Sequence, residues 1–438
     1  MPNIYFKNLG CPKNEVDGNI LANMLKANQA TLVDDPEKAN IIIVNTCGFI
    51  DSAKEESIDT VLELSLLKEK RNIKLVLAGC LAQRYKRELI KQMPEIDLVV
   101  GIGNLLSARD QIMELSTKRP SDNRLTERYR EYDIAPLAGA MPYGYLKISD
   151  GCDNFCTYCA IPHIRGRHRS RKFKFILDEA RAMAQNGTRE LIIVAQDTTQ
   201  YGIDLYGQRR LPDLLKALEN IPDIGWIRLL YTHPAHYTDN LIDFLSISEK
   251  VVSYLDLPLQ HISDPILKRM NRKVSADDVC RLIDRLRRKI DNLVLRTTFI
   301  LGFPGETEKD FKRLWRFQND YALERVGVFP YSREEDTGAY DFKPEVPEDV
   351  AAERIDRLMT LVMDQSYERN QKMIGRKLEV LIDEKVEDDY YIGRAFDQAP
   401  EIDGYVRAHG RFDPGRFVEL QIRSAEAYDL DGVAMKEG

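Results

Sequence analysis

Cys152, Cys156 and Cys159 fall within the nine residues GCDNFCTYC, spaced C-x3-C-x2-C with Tyr158 before the last. Thiolates are soft ligands suited to zinc or to iron-sulfur clusters, and one short loop can present three of them to one face of a cluster. A structural zinc site closes with four Cys or His ligands, whereas a cubane held by three thiolates leaves one iron free for another ligand. His163 and His168 follow closely enough to complete a zinc site, so both chemistries stand at this point. Cys11, Cys47 and Cys80 stand alone, each beside Gly or Thr at the end of an apolar run: IYFKNLGC, NIIIVNTC and KLVLAGC. A lone cysteine is ordinarily a small buried hydrophobe. If these runs are parallel strands, however, their carboxyl ends share one crevice, and thiols more than 30 residues apart in sequence meet there, which favours a shared metal centre. The seventh cysteine, Cys280, lies near Ile283 on the apolar side of the helical stretch ADDVCRLIDRLRRKI and reads as core.

The elements that must position these groups are legible as an alternation. Up to about residue 115, β-branched runs alternate with amphipathic helical patterns, the signature of parallel β-α units. The polar stretch STKRPSDNRLTERYREYDIAPLAG reads as a linker, and alternation then resumes from YGYLKIS to RVGVFPYS with six strands over about 190 residues. Six pairs fall short of the eight of a full barrel, so a partial barrel is expected, with the cysteine loop after its first strand, where barrel chemistry sits. A long helical stretch, PEDVAAERIDRLMTLVMDQSYERNQKMIG, leads to four strand-like segments separated by Gly, Pro and Asp turns, expected to form a small antiparallel barrel.

With 438 residues, 43% hydrophobic and 30% charged, the chain suits a multidomain globular protein. An odd set of seven cysteines without an export signal disfavours a disulfide framework, and no run of about 18 apolar residues offers a membrane span, so a cytoplasmic location is expected. The net charge of −7 argues against a general nucleic-acid binder. From Gln371 onward ten Lys and Arg face fifteen Asp and Glu, which suits a basic protein partner better than phosphates. Against that stands the basic run IRGRHRSRK, with Arg165, Arg167, Arg169, Arg171 and Lys172: an RNA contact, a solvated face, or a patch balancing an anionic site.

C-x3-C-x2-C with Tyr158 after the first strand of a partial barrel resembles the radical S-adenosylmethionine superfamily. That resemblance implies a 4Fe-4S cluster on Cys152, Cys156 and Cys159 whose uncapped iron chelates S-adenosylmethionine, and a 5′-deoxyadenosyl radical able to take hydrogen from an unactivated carbon. TTFILGFPGET, with Gly302 and Gly305, is similar to the superfamily segment against the adenine, although Gly and Pro after a strand usually mean only a turn. Gln196 and Asp197 in LIIVAQDTTQYG end a strand, where they either reach the methionyl part of that cofactor or form a satisfied loop pair. His233 and His261, also near strand ends, read as packing or hydrogen-bonding groups.

Over its whole length the chain is similar to the methylthiotransferases, through LGCPKNEVD, VNTCGFIDSAKEES and LAGCLAQRY. The resemblance implies an N-terminal domain (1–118) with a second 4Fe-4S cluster on Cys11, Cys47 and Cys80. After a linker (119–137) it implies a partial (β/α)6 radical SAM domain (138–368) and a TRAM-like β-barrel (369–438). GCPKN and NTCGFIDSAKEES resemble the RimO-type branch, which modifies the β-carbon of an aspartate of ribosomal protein S12, rather than the branch that modifies a tRNA adenosine. Implied partners are S12, free or in the small ribosomal subunit, and a reductant protein of the flavodoxin or ferredoxin type. A same-family tRNA 2-methylthioadenosine synthase and a non-catalytic, metal-stabilised RNA-binding protein are the rival readings.

Overall fold

The computed structural model describes residues 1–115 and 141–434, so the expected linker lies outside the described residues. The first domain is a five-stranded parallel sheet of β1 (Asn3–Asn8), β2 (Thr31–Val33), β3 (Ile41–Thr46), β4 (Lys74–Ala78) and β5 (Leu98–Val99), in the order β2-β1-β3-β4-β5. Helices α1 (Pro12–Ala27), α2 (Asp51–Lys70), α3 (Gly79–Gln92) and α4 (Leu105–Leu115) connect or follow its strands. Every residue of β3 is buried, as a central strand covered on both faces requires. The strand order reverses between β1 and β3, which opens a crevice at their carboxyl ends, the usual binding position in doubly wound sheets. The short edge strand β2 carries no strong sequence signal. Helix α3 begins at Gly79, directly after β4, because GCLAQ holds no β-branched residue to resist it; its non-helical Tyr85 marks a kink.

The second domain is an open six-stranded parallel sheet, β6 (Tyr143–Lys147), β9 (Glu190–Val194), β10 (Trp226–Leu229), β11 (Val251–Asp256), β12 (Val294–Leu301) and β13 (Arg325–Pro330), adjacent in that order. Between β6 and β9 a two-stranded ribbon, β7 (Ser149–Asp150) with β8 (Arg169–Ser170), brackets the cysteine loop and the short helix α5 (Ile161–Arg165). The outer core packs Leu146, Ile193, Leu229, Leu255 and Phe299 against helices that include α6 (Phe173–Gln185). The inner face carries Tyr145, Ile192, Val194 and Tyr254, in one apolar cluster with Val16 and Ile20 of α1. The first domain thus closes part of what two missing β-α pairs leave open.

The third domain is a closed barrel of β14 (Lys377–Glu387), β15 (Tyr390–Ala395), β16 (Val406–His409), β17 (Phe417–Ala425) and β18 (Leu430–Ala434). It corrects the expectation twice. The last predicted strand breaks into two at Glu426–Asp429, and closing an odd number of strands leaves one parallel pair, β16 with β18. The connection between β15 and β16 enters the partial barrel: Arg228 donates to the Phe396 carbonyl at 2.6 Å and Tyr254 to Asp403 at 2.6 Å. Beside it Glu190, fully buried, bridges Arg228 and Arg394 at 2.6 Å each.

Burial alone would raise the Glu190 carboxyl, but the two guanidiniums outweigh it and hold the group below its ordinary range. A depressed folded-state value makes its contribution full at neutral pH and lost as pH falls below the ordinary carboxylate range towards that value. Glu190→Ala leaves two buried cations short of a partner; chemical denaturation at pH 7 should show a loss of about 3–5 kcal/mol, narrowing in acid as the wild type loses the same interaction.

Candidate active site

The crevice of the first sheet gathers three thiols. Cys11 caps the amino end of α1, Cys47 follows β3, and Cys80 sits in the first turn of α3 rather than at the strand end. Gly10 is held at φ +85°, and a Cβ there would lie 2.6 Å from the Cys47 Cβ, so only glycine lets these two cysteine segments approach. Asn14 ties the loops together: its amide donates to the Leu9 carbonyl at 2.9 Å and the Thr46 carbonyl at 3.2 Å, and its oxygen faces Cys80 Sγ at 3.6 Å. Burial would raise the Cys11 thiol, but the charges of Lys13 and Arg165 more than offset it. Burial does raise Cys80, to about 12.

The second trio lies at the carboxyl end of the partial barrel. The Cys156 sulfur faces the Arg272 guanidinium at 3.7 Å, and the Asn154 backbone N–H approaches Cys152 Sγ at 3.5 Å. Burial pushes the Cys152 thiol up to about 12 and raises Cys159 further. Asp197 joins this loop through Asn154 Nδ2 at 2.8 Å, and also meets His236 Nδ1 at 2.8 Å. Both amide ends of Gln196 are buried without a protein partner.

Contacts across the domain junction link the first trio to the segment that follows the second. Arg165, six residues after Cys159, reaches back to Cys80 Sγ at 3.2 Å, and it also pairs with Asp17 at 2.8 Å and Asp150 at 3.0 Å. Cys80 packs in one buried cluster with Ala160 and Ile164. Tyr231, just beyond β10, lies under the Lys13 ammonium, whose Nζ is 3.1 Å from the ring centroid. Among the described residues, the three metal-capable groups whose ligand atoms all lie within 4.8 Å of one another are Asp197, His233 and His236. Neither cysteine trio is that tight, whereas tetrahedral Zn–S bonds of about 2.3 Å would draw sulfurs to within about 4 Å.

Three family models match the chain: uncharacterized protein family UPF0004 over residues 3–101, the radical SAM superfamily over 146–317, and the TRAM domain over 374–435. The ribosomal protein uS12 methylthiotransferase RimO of Acetivibrio thermocellus is 45% identical over 98% of this chain and 97% of its own length. That of Clostridioides difficile is 45% identical over the full length of both chains. The chain belongs to the RimO family of methylthiotransferases. Among solved structures, the radical S-adenosylmethionine methyltransferase TsrM of Kitasatospora setae, with cobalamin and a [4Fe-4S] cluster bound, shares the fold at TM-score 0.55 and 14% identity, covering 77% of this chain and 74% of that one. OxsB, a cobalamin-dependent S-adenosylmethionine radical enzyme, shares it at TM-score 0.53 and 12% identity, covering 82% and 56%.

In this RimO-family chain the other residues singled out by sequence take definite places. Tyr158 packs its ring against an apolar cluster with Met270 and Phe303 while its hydroxyl stays beside the Cys156 sulfur. Gly302 donates its N–H to Glu306 at 2.9 Å and packs on Ala351, and Gly305 lies against the Arg269 guanidinium, so both serve the turn after β12. His233 accepts the Ala235 N–H at 3.2 Å and stacks on His236, while His261 accepts the N–H groups of Ile262 and Ser263, each at 2.9 Å. His168 bonds Ser170 at 3.1 Å, and neither it nor His163 joins a tight metal-capable group with the cysteines. Cys280 is half-buried against the outer core. The basic run is partly internal: Arg165 and Arg171 are buried, the latter on Glu179 at 2.5 Å, while exposed Arg167 pairs with Asp153 at 2.6 Å and Lys172 is exposed. Sequence reasoning did not single out Lys13, Tyr231, Arg272 or His236. Of these, only Lys13 carried a signal, lying between two cysteine-motif residues.

Arg165→Gln removes the cation shared by Asp17, Asp150 and Cys80. Stability should fall by about 3 kcal/mol or more, and in metal-free, still folded protein Cys80 should alkylate more slowly with an uncharged thiol reagent, because the guanidinium that favours its thiolate is gone, while Cys152 does not change; peptide mass mapping of the labelled chain reads both.

Proposed function

We propose that this chain transfers a methylthio group to the β-carbon of an aspartate of ribosomal protein uS12, free or within the small ribosomal subunit, in the cytoplasm. The observation that carries the reading is two cysteine trios from different domains, linked across their junction by Arg165 on Cys80 and by the packing of Cys80 with Ala160, in a chain 45% identical along its whole length to RimO proteins. The donor set suits iron-sulfur clusters: three soft thiolates at each place, with no histidine beside them in a tight metal-capable group among the described residues. Cys152, Cys156 and Cys159 would hold one cluster and Cys11, Cys47 and Cys80 the other. When bound, the first cluster with S-adenosylmethionine supplies one-electron chemistry strong enough to remove hydrogen from an unactivated carbon, and the second supplies a place for the sulfur group.

The protein's own contribution is placement. Gln196 offers a buried amide donor and acceptor, both unpaired, beside the cysteine loop, and Asp197 offers a carboxylate there; together they fit the amino and carboxylate groups of S-adenosylmethionine. The His236 ring and Thr199 hydroxyl keep Asp197 ionised, pulling it down to about 2 although burial opposes them. We assign Tyr158, Gly302 and Gly305 to shaping the walls around that cofactor. Arg272 and Arg165 place positive charge beside one sulfur of each trio, which offsets the charge of a thiolate-bound cluster. A flavodoxin- or ferredoxin-type protein is the reductant this chemistry calls for.

Anaerobically reconstituted protein should contain about eight iron and eight sulfide per chain, falling to about four of each when Cys152, Cys156 and Cys159 are replaced by Ala. Incubated with a reductant, S-adenosylmethionine, sulfide and uS12, the wild type should give a methylthio mass gain on one uS12 aspartate peptide. Modification of tRNA with none on uS12 overturns the reading.

A further inference from the structure

The cations at the domain junction are almost all committed. Arg165 holds Asp17 and Asp150, Lys147 also holds Asp17, Arg296 holds Asp256 at 3.0 Å, and Arg272 donates to the Pro258 carbonyl at 2.6 Å. Lys13 is different. It is 8% exposed, and among the described residues no carboxylate lies within ion-pair distance of its ammonium. Even Asp17, one helical turn on, is taken by the barrel's Lys147 and Arg165. The favourable neighbours of the Lys13 ammonium are the Cys11 sulfur and the Tyr231 hydroxyl, neither of them a carboxylate, and a buried ammonium without a carboxylate is costly unless a ligand adds negative charge.

The surroundings say which way that cation faces. Lys13 follows Cys11 by two residues, and its Nζ lies over the ring of Tyr231 from the other domain. Tyr231 adopts φ +57°, a left-handed conformation that is unfavourable for a bulky side chain. It is fixed there by its N–H donating to Asp256 at 2.9 Å and its carbonyl accepting the Thr198 N–H at 3.0 Å. Two residues on, no more than about 7 Å of chain, His233 stands beside Asp197 at the second cysteine loop. The aromatic face therefore holds the ammonium at the domain junction, two residues from Cys11 and on a residue of the domain that carries the second trio. Cation–π contact favours the cation without neutralising it, so the positive charge stays available.

We propose that Lys13, seated on Tyr231, is the counter-ion for the carboxylate of the target aspartate and selects Asp over Asn at that position. The assignment rests on the uS12 reading above and adds to it the residue that recognises the side chain. Ammonium-to-carboxylate contact at the end next to the reacting carbon would fix the β-carbon relative to both trios.

The test uses reconstituted holoenzyme without reductant and two synthetic peptides of the uS12 target loop, one with the native aspartate and one with asparagine there. Wild type should bind the aspartate peptide about tenfold to a hundredfold more tightly, the range for a charge-assisted contact. Lys13→Met should bring the aspartate peptide to within about twofold of the asparagine one, leave the asparagine affinity unchanged, and under turnover raise KM more than it lowers kcat. Lys13→Arg should restore part of the preference. Tyr231→Leu, in the other domain and remote in sequence from Cys11, removes the seat and should cut the preference severalfold with iron content unchanged. A preference kept in both Lys13→Met and Tyr231→Leu, or an equal loss for both peptides, overturns the proposal and makes Lys13 a neighbour of Cys11 only. Wild type that modifies the aspartate peptide but never prefers it overturns this inference and leaves the uS12 reading standing; modification of tRNA alone overturns both.

Discussion

Everything at the active site depends on one buried guanidinium. Arg165 is carried by the second domain, yet its partners are Asp17 and Cys80 of the first as well as Asp150 of its own. An arginine can do this because its planar fork presents several donors in fixed directions; a lysine would offer one mobile point charge. Ion pairs of this kind add little net stability, since desolvating three charges opposes their attraction. What they impose is geometry: any slip of the first domain leaves buried carboxylates unpaired. Glu334 repeats the device on the other side of the crevice, pairing with Lys54 at 3.0 Å and Arg84 at 2.6 Å.

The need for such clamps follows from the number of strands. Six parallel strands do not close, so the inner face of the barrel must be covered by something else. The first domain covers it beside the catalytic end, with α1, and the β15–β16 connection fills it from the ends where the strands begin, around Glu190 and Trp226. Three domains that match three separate family models therefore share one interior. The acidic character of the small barrel is partly spent inward: Asp383, Asp397 and Asp403 face arginines or Tyr254 rather than a partner. The charge count of the tail overstates what its surface shows to another molecule.

Much of this was legible in the sequence, for physical reasons that differ by element. The strands IIIVNT and ELIIV announce themselves because central parallel strands are apolar on both faces. Although Cys80 falls in the first turn of α3 and not at the strand end, that the cysteines gather at two places was legible from the spacing of one trio and the near-strand-end position of the other. The basic run was not, because sequence records that arginines are present but not that Glu179, Asp17 and Asp150 wait to receive them. Tyr231 was also hidden: it is one aromatic among many in the strands, and only its left-handed backbone and the lysine above it set it apart. Contacts between residues of different domains, which decide the roles of Arg165, Lys13 and Tyr231, leave no local pattern.

The stretch LGCPKNEVD shows how closely these roles can be packed. Pro12 starts α1 at its first position, where a missing N–H costs nothing, and so fixes the phase of every residue after it. Cys11 then falls at the cap, aimed into the crevice; Asn14, at the third helical position, turns back to the sheet and satisfies the carbonyls that the strand ends would leave unpaired. Lys13 and Asp17, four apart, share the face turned to the barrel. They are placed to pair with each other, with the lysine on the weaker, amino-terminal side of such a pair. The barrel supplies Lys147 and Arg165 for the aspartate and an aromatic ring for the lysine, so docking of the two domains separates the would-be pair and leaves a positive charge at the junction beside Cys11. A single helical turn thereby contributes a thiol, a loop brace, a domain clamp and a cation, and shifting its phase by one residue would misplace all four.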